Sequence, residues 1–177
     1  MSSNRMDTKK LVVSALLVGL SVVIPYLSLP VVPMPEFSVT LFAHLAIIIA
    51  MFMGVEVAVF AGLGSALGFY LKGVPLVVVM RAASHIIFLA VGALMLKKMH
   101  GKKWHVVLIG IITGVVHALA EAVIVAFWFK SSSISNTFMI GVPIFFLHHA
   151  FDYTMAVLVY IALSKAKLVK PIIKTVE

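Results

Sequence analysis

The sequence predicts an all-α membrane protein, a bundle of six transmembrane helices with both termini in the cytoplasm. Three observations carry that prediction. Hydrophobic residues make up 63% of the 177 and charged residues only 11%, whereas a soluble domain is about half apolar and about a quarter charged. The apolar residues fall in runs close to the roughly 20 that cross a bilayer. Lys and Arg gather in alternate loops between those runs. Soluble enzymes, nucleic-acid binders and disordered chains are excluded by a mean hydropathy of +1.18. The net charge of +8 then reads as topology, with Lys flanking spans on the cytoplasmic side, and calls for no nucleic-acid partner. With no cysteine, disulfides, thiolate metal sites and cysteine nucleophiles are ruled out. The length accommodates six or seven spans and no appended soluble domain, so residues 1–177 are expected to form a single transmembrane domain.

The first apolar run covers about residues 11–29 and follows a polar start. It lacks a small-residue cleavage site and further spans follow, so it is expected to be a retained helix, not a signal peptide. Pro30, Pro33 and Pro35 then impose a stiff, extended loop. The second span is expected over 37–53. Gly54 and Glu56 turn the chain into the third, 55–71. Lys72, Gly73 and Pro75 break the helix again, and Pro75 is well placed to open the fourth, 76–96. A basic loop precedes the fifth, 104–129. A Ser-rich polar stretch, 130–137, separates it from the sixth, 138–164, and a Lys-rich tail closes the chain.

Orientation follows from the cations. Arg5, Lys9 and Lys10 precede span one; Lys97, Lys98, Lys102 and Lys103 lie between spans four and five; Lys165, Lys167, Lys170 and Lys174 follow span six. The other side has only Lys72 and Lys130. The bias and the even span count place both ends in the cytoplasm. The proline loop then faces outward, either as a plain connection or as a lid over an outward-facing pocket.

Ionisable groups inside apolar spans are functional candidates because each is costly there. They are His44 in span two, Arg81 and His85 in span four, His117 and Glu121 in span five, and His148, His149 and Asp152 in span six. Helical spacing groups them into stripes: Arg81, Ser84, His85 and Phe88; His117, Glu121, Ile124 and Trp128; Phe145, His148 and Asp152; Phe37, Thr40 and His44. At 1.5 Å per residue, Arg81, His44, Glu121 and His148 lie about 9–15 Å from the outer ends of their helices. Polar groups at one depth, with none near the cytoplasmic mouth, predict an outward-open pocket closed below. Simpler roles stand beside this one. Arg81 and Glu121 also suit a structural ion pair, His148 and Asp152 a private hydrogen bond, His85 and His149 satisfied packing, and Trp128 an interfacial anchor. Small-residue faces at Ala15 and Gly19, Gly64 and Gly68, and Gly110 and Gly114 permit close helix approach. For the last two pairs, internal packing is expected.

Taken together, these features resemble the substrate-binding S components of energy-coupling factor (ECF) vitamin transporters. The shared features are six short spans, a small-residue face on the first, a Pro-rich loop after it and polar groups in the outer half of spans four to six. Within that family, residues 35–44 and 73–88 are similar to the niacin-specific members. The resemblance implies an S-component bundle that captures one vitamin from outside. It would dock through Ala15 and Gly19 onto a transmembrane coupling protein carrying two cytoplasmic ATPase subunits, then topple to release its substrate inward. Family members usually show Ala at both docking positions, and this chain has Gly19 at the second. The chain carries no phosphate-binding G-x-x-x-x-G-K-[ST] loop, so it is expected to be no enzyme and to need no cofactor, with ATP hydrolysis left to the partners.

Nicotinate offers a carboxylate, a ring nitrogen and a flat apolar face. Arg81 is suited to grip the carboxylate in bidentate fashion; His44, His85 or His148 suits the ring nitrogen or second oxygen. Phe37, Phe88, Trp128 and Phe145 offer stacking surfaces. Glu121 either orients Arg81 or neutralises it, and neutralisation favours a pyridoxine-type vitamin. Two other classes remain open: a stand-alone proton-coupled transporter or channel, and an intramembrane metalloenzyme. The latter is suggested by His117-x-x-x-Glu121 and His148-x-x-x-Asp152, which pair N and O ligands on single helix faces. No H-E-x-x-H motif accompanies them.

Overall fold

Residues 8–27, 37–99, 102–129 and 134–171 are described by a computed structural model. The described residues form six principal helices: α1 (Thr8–Leu27), α2 (Leu45–Met53), α3 (Val55–Lys72), α4 (Leu76–Lys98), α5 (Lys103–Phe129) and α6 (Val142–Lys165). A single turn, Ile134–Asn136, and a π-helical segment, Thr137–Gly141, lead into α6. Five stretches are long and apolar enough to cross a membrane: α1, α3, α4, α5 and Thr137–Lys165. Their limits agree with the sequence expectations to within a few residues. The proline loop and its suggested lid role lie outside the described residues, as do Lys130 and the last six residues of the Lys-rich tail, 172–177.

The second span departs from expectation. Helix was expected over 37–53, but α2 has only nine residues, about 14 Å at 1.5 Å per residue, or half a bilayer. Residues 37–44 are not helical, with turns at Phe37 and over 41–44, and Phe42 takes a left-handed φ of 65°. Backbone at such depth is tolerated only where protein satisfies its polar groups, and distant side chains do so here. Asp152 accepts the N–H of Phe42 at 2.8 Å and that of His44 at 3.2 Å. Arg81 donates to the Ser38 carbonyl at 2.8 Å. The Asp152 carboxylate thus meets the unpaired N–H groups and the positive dipole end that open α2.

α2 occupies the centre of the bundle. Its sequence is apolar on every side, as suits a helix with no solvent face, and it packs against α1, α3, α4 and α6. Around it the neighbours run α1–α3–α4–α5–α6. Gly54, at φ 133°, makes the abrupt turn from α2 into α3, in a region closed to most side chains. α1 and α3 approach so closely that a Cβ on Gly64 or Gly68 would collide with α1 atoms, with the Val22 carbonyl in the case of Gly68. Gly110 and Gly114 pack in the same way on Tyr153, Phe146 and His149 of α6. Both pairs serve internal packing, as expected.

The fold has a terminal end, where α1 starts and α6 finishes, and a far end, where α3 meets α4. Lys9 and Tyr160 each donate to a backbone carbonyl of the closing tail, that of Lys167 and of Lys170 respectively. Between His44 and the terminal end lies a floor of fully buried apolar side chains: Ile47, Ile48, Met51, Phe88, Leu89 and Ile109. Met51 fills the space left by Gly92 so tightly that a Cβ there would collide with its sulfur.

Candidate functional site

The polar cluster rests on that floor. α4 supplies Arg81 and His85 one turn apart, α5 supplies His117 and Glu121, α6 supplies His148, His149 and Asp152, and the broken start of span two supplies Ser38 and His44. Apart from Ser38, which is half-buried, all of these are buried. On α4, α5 and α6 the helical stripes explain the convergence, since each places its polar residues on the buried face of its helix; the stripe expected for Phe37, Thr40 and His44 is not helical.

Arg81 is the hub at the far-end side. Its Nη2 donates to Glu121 Oε2 at 2.8 Å and to the Ser38 carbonyl, while Nη1 donates to Ser38 Oγ at 2.9 Å. The guanidinium lies over the Phe145 ring, 4.6 Å from its centroid, a cation–π contact. Phe37 is next to Phe145, with ring centroids 6.4 Å apart. Glu121 also contacts His85, whose Nε2 lies 3.0 Å from Oε1. The same Nε2 is 3.3 Å from His44 Nε2. His44 Nδ1 lies 3.1 Å from Asp152 Oδ2, and the His148 ring stands edge-on to His44 with centroids 4.5 Å apart.

The candidates from the sequence therefore fall into two groups. Arg81, His44, His85, Glu121, His148 and Phe145 come together, with Phe37 at their edge and Phe88 beneath the imidazoles, 5.7 Å from His85 between ring centroids. Trp128 stands apart at the end of α5, 41% exposed, and lines a shallow groove with Ala126, Phe127 and Ile134. Ala15 and Gly19 are exposed on α1, on the side away from its buried Ser14, Leu17 and Ser21, and a Cβ on Gly19 would meet nothing within 4 Å. Arg81 and Glu121 do form an ion pair. His148 and Asp152 are only loosely paired, at 3.7 Å, because Asp152 is committed to the start of α2. His149 has the packing role expected of it: its Nε2 lies 3.1 Å from Thr113 Oγ1 and its ring stacks on Tyr153.

Three further residues join the cluster that the sequence does not place among the vitamin contacts, although His117 and Asp152 are among its buried candidates. His117 sits at its centre, with ring centroids 4.9 Å from His44 and 5.1 Å from His85. Its spacing to Glu121 was the available signal. Asp152 holds the backbone, and Ser38 meets Arg81; neither role has a local sequence signature.

The cluster encloses a cavity of about 30 Å³, lined by Ser38, Thr40, His44, Arg81, Glu121 and His148 among others. That is room for little more than a water. A larger apolar groove of about 310 Å³ lies between α5 and α6, lined by Gly110, Phe146 and Tyr153 among others, and none of the cluster lines it.

The chain is similar to a vitamin transporter. It is 27% identical over 175 residues to the niacin transporter NiaX of Lactococcus lactis subsp. cremoris (strain MG1363), covering 93% of this chain and 78% of NiaX. No family model and no solved structure matches. The similarity leaves too little of the chain outside to omit any of the five long spans, and it supports the niacin-type resemblance drawn from residues 35–44 and 73–88. With five membrane-crossing helices and a transporter relative along most of its length, the chain is a multi-pass protein of the cell membrane.

Proposed function

We propose that this chain is the substrate-binding S component of an ECF-type vitamin importer, with nicotinate as its substrate. The observation that carries the proposal is the environment of Arg81. A guanidinium fork faces Ser38 Oγ and carbonyl oxygen, two acceptors that a carboxylate would replace oxygen for oxygen, with the Phe145 and Phe37 rings beside it for a flat heteroaromatic ring. The name of the relative points to the same vitamin.

Small-molecule pockets span roughly 300–1,000 Å³, so a cavity of about 30 Å³ describes a closed conformation. Entry of a vitamin requires residues 37–44 to move outward and Ser38 to release Arg81. That segment is held by side-chain contacts, not by a helical ladder, which makes it the natural moving part. The exposed Ala15 and Gly19 face of α1 serves as the docking surface for the coupling protein. Both termini lie in the cytoplasm, and two ATPase subunits drive the cycle.

The Arg81–Glu121 pair favours one competing ligand. If the carboxylate cancels the guanidinium charge, a pyridoxine-type vitamin fits better than an anion. Calorimetric titration of nicotinate, nicotinamide and pyridoxine into wild type and Arg81→Ala separates the two. Losing one partner of a buried charged pair costs about 2–5 kcal/mol, so Arg81→Ala should weaken nicotinate roughly thirty- to several-thousandfold. Nicotinamide should bind the wild type weakly, and the gap between the two should narrow in the variant. Equal nicotinate binding by both proteins would return Arg81 to a structural role, and binding of pyridoxine alone would discard niacin.

A further inference from the structure

The imidazoles below Arg81 exceed what a small organic acid needs. Five histidines, His44, His85, His117, His148 and His149, are buried in contact with one another on four separate segments. Their ring nitrogens are only partly satisfied: both of His117, and Nδ1 of His85, His148 and His149, are buried without a hydrogen-bond partner, although His149 Nε2 meets Thr113. Buried polar atoms left in this state carry an uncompensated desolvation cost, and each one calls for an explanation.

A metal ion supplies one. One ligand atom from each of His44, His117 and His148 lies within 4.8 Å of the others. Nitrogens bound 2.0–2.1 Å from a tetrahedral ion sit about 3.3 Å apart, so small ring rotations bring the three into range. Asp152 already prepares His44. With Nδ1 beside Oδ2 at 3.1 Å, the ring presents Nε2 to the cluster, the carboxylate–histidine arrangement that orients metal ligands. Charge points the same way, since two buried carboxylates, Glu121 and Asp152, face a single guanidinium. His44 and His148, though not His117, line the cavity of about 30 Å³, which suits an ion far better than it suits a vitamin.

We propose that His44, His117 and His148 form a binding site for one divalent transition ion of the zinc class, with Asp152 as the residue that positions His44. Imidazole donors without thiolates suit Zn²⁺, Co²⁺, Ni²⁺ or Cu²⁺ and discriminate against Mg²⁺ and Ca²⁺. Three protein nitrogens leave a four-coordinate ion one open position, on a cavity that Arg81 also lines. A second group, His85, His117 and Glu121, shares His117, but there Glu121 is already engaged by Arg81.

The proposal does not depend on the vitamin, and no vitamin enters its test. Protein purified in detergent without a polyhistidine tag is stripped with chelator and titrated with Co²⁺. One ion per chain is expected, with the visible d–d bands of nitrogen-coordinated Co²⁺, displaced by stoichiometric Zn²⁺. His117→Gln and His148→Gln should abolish the bands, and Asp152→Asn should weaken Co²⁺ about 10–100-fold. His105→Gln, near the terminal end of α5, should leave binding unchanged. Should the cluster variants fail to fold, the wild type still decides: Zn²⁺ should raise its unfolding midpoint and Mg²⁺ should not. Absence of bands and of any Zn²⁺-dependent shift in folded wild type overturns the proposal. So does binding that survives His148→Gln but is lost in His85→Gln.

Discussion

Asp152 shows how much one side chain settles in this protein. It lies within a span, 110 residues after Phe42 in the chain, and its two oxygens receive the two backbone N–H groups that open α2. Hydrogen bonds to a charged group contribute about 1.5–3 kcal/mol each. Asp152→Ala should therefore destabilise the fold by about 3 kcal/mol or more, while Asp152→Asn, which keeps one acceptor, should cost clearly less. Unfolding of the two variants in detergent measures the difference; equal, small losses would show that residues 37–44 are held some other way. The sequence revealed Asp152 as a buried acid but paired it with His148, because only the i, i+4 neighbour is visible along a helix. Its true partners are backbone groups, which have no signature in residue type. His117 is legible as a buried candidate paired with Glu121, but its contacts with His44, His85 and His148 on three other segments have no signature along the chain.

At the scale of the elements, legibility followed locality. The five long spans were read to within a few residues because hydropathy and flanking cations are local properties. The break in the second span was not, since Phe37–His44 still holds five apolar residues in eight and no Gly or Pro, and runs straight into the wholly apolar α2. What breaks it is the acid on α6 and the guanidinium on α4. The glycine faces divided as expected, and the division is testable. Gly68→Ala puts a Cβ against the Val22 carbonyl and should force α1 from α3, at a cost of about 1–3 kcal/mol. Gly19→Ala meets nothing within 4 Å and should be neutral in the isolated protein. Gly19→Trp should leave stability and ligand binding nearly intact yet abolish uptake and assembly with the coupling protein, because indole bulk holds a partner helix away. Co-purification and uptake measured side by side test this; loss of ligand binding in a folded Gly19→Trp would remove α1 from the docking role.

For the whole molecule, orientation is the property to establish, and the composition makes the experiment clean. With no native cysteine, single cysteines can be placed at either end without background. Leu76→Cys and Phe129→Cys, at the exposed far end, should react with an impermeant maleimide added outside intact cells. Lys98→Cys and Lys165→Cys should react only after the membrane is opened. The reverse pattern would invert the topology and overturn the proposal that the site faces outward.

The floor of Ile47, Ile48, Met51, Phe88, Leu89 and Ile109 bears on a different quantity, the energy stored across the membrane. These six side chains carry no hydrogen-bonding group, and the polar neighbours Thr113 and Tyr153 are committed to the carbonyls of Ile109 and Val106, so the floor offers no relay for protons and no hydrated path for ions. The protein should therefore be electrically silent: reconstituted in a planar bilayer, it should carry no current at any holding voltage, with or without substrate. A cell could then insert many copies to scavenge a scarce nutrient without discharging the gradient that powers everything else. Gly92→Ser, which pushes a hydroxyl toward the Met51 thioether, is the change most apt to open a leak.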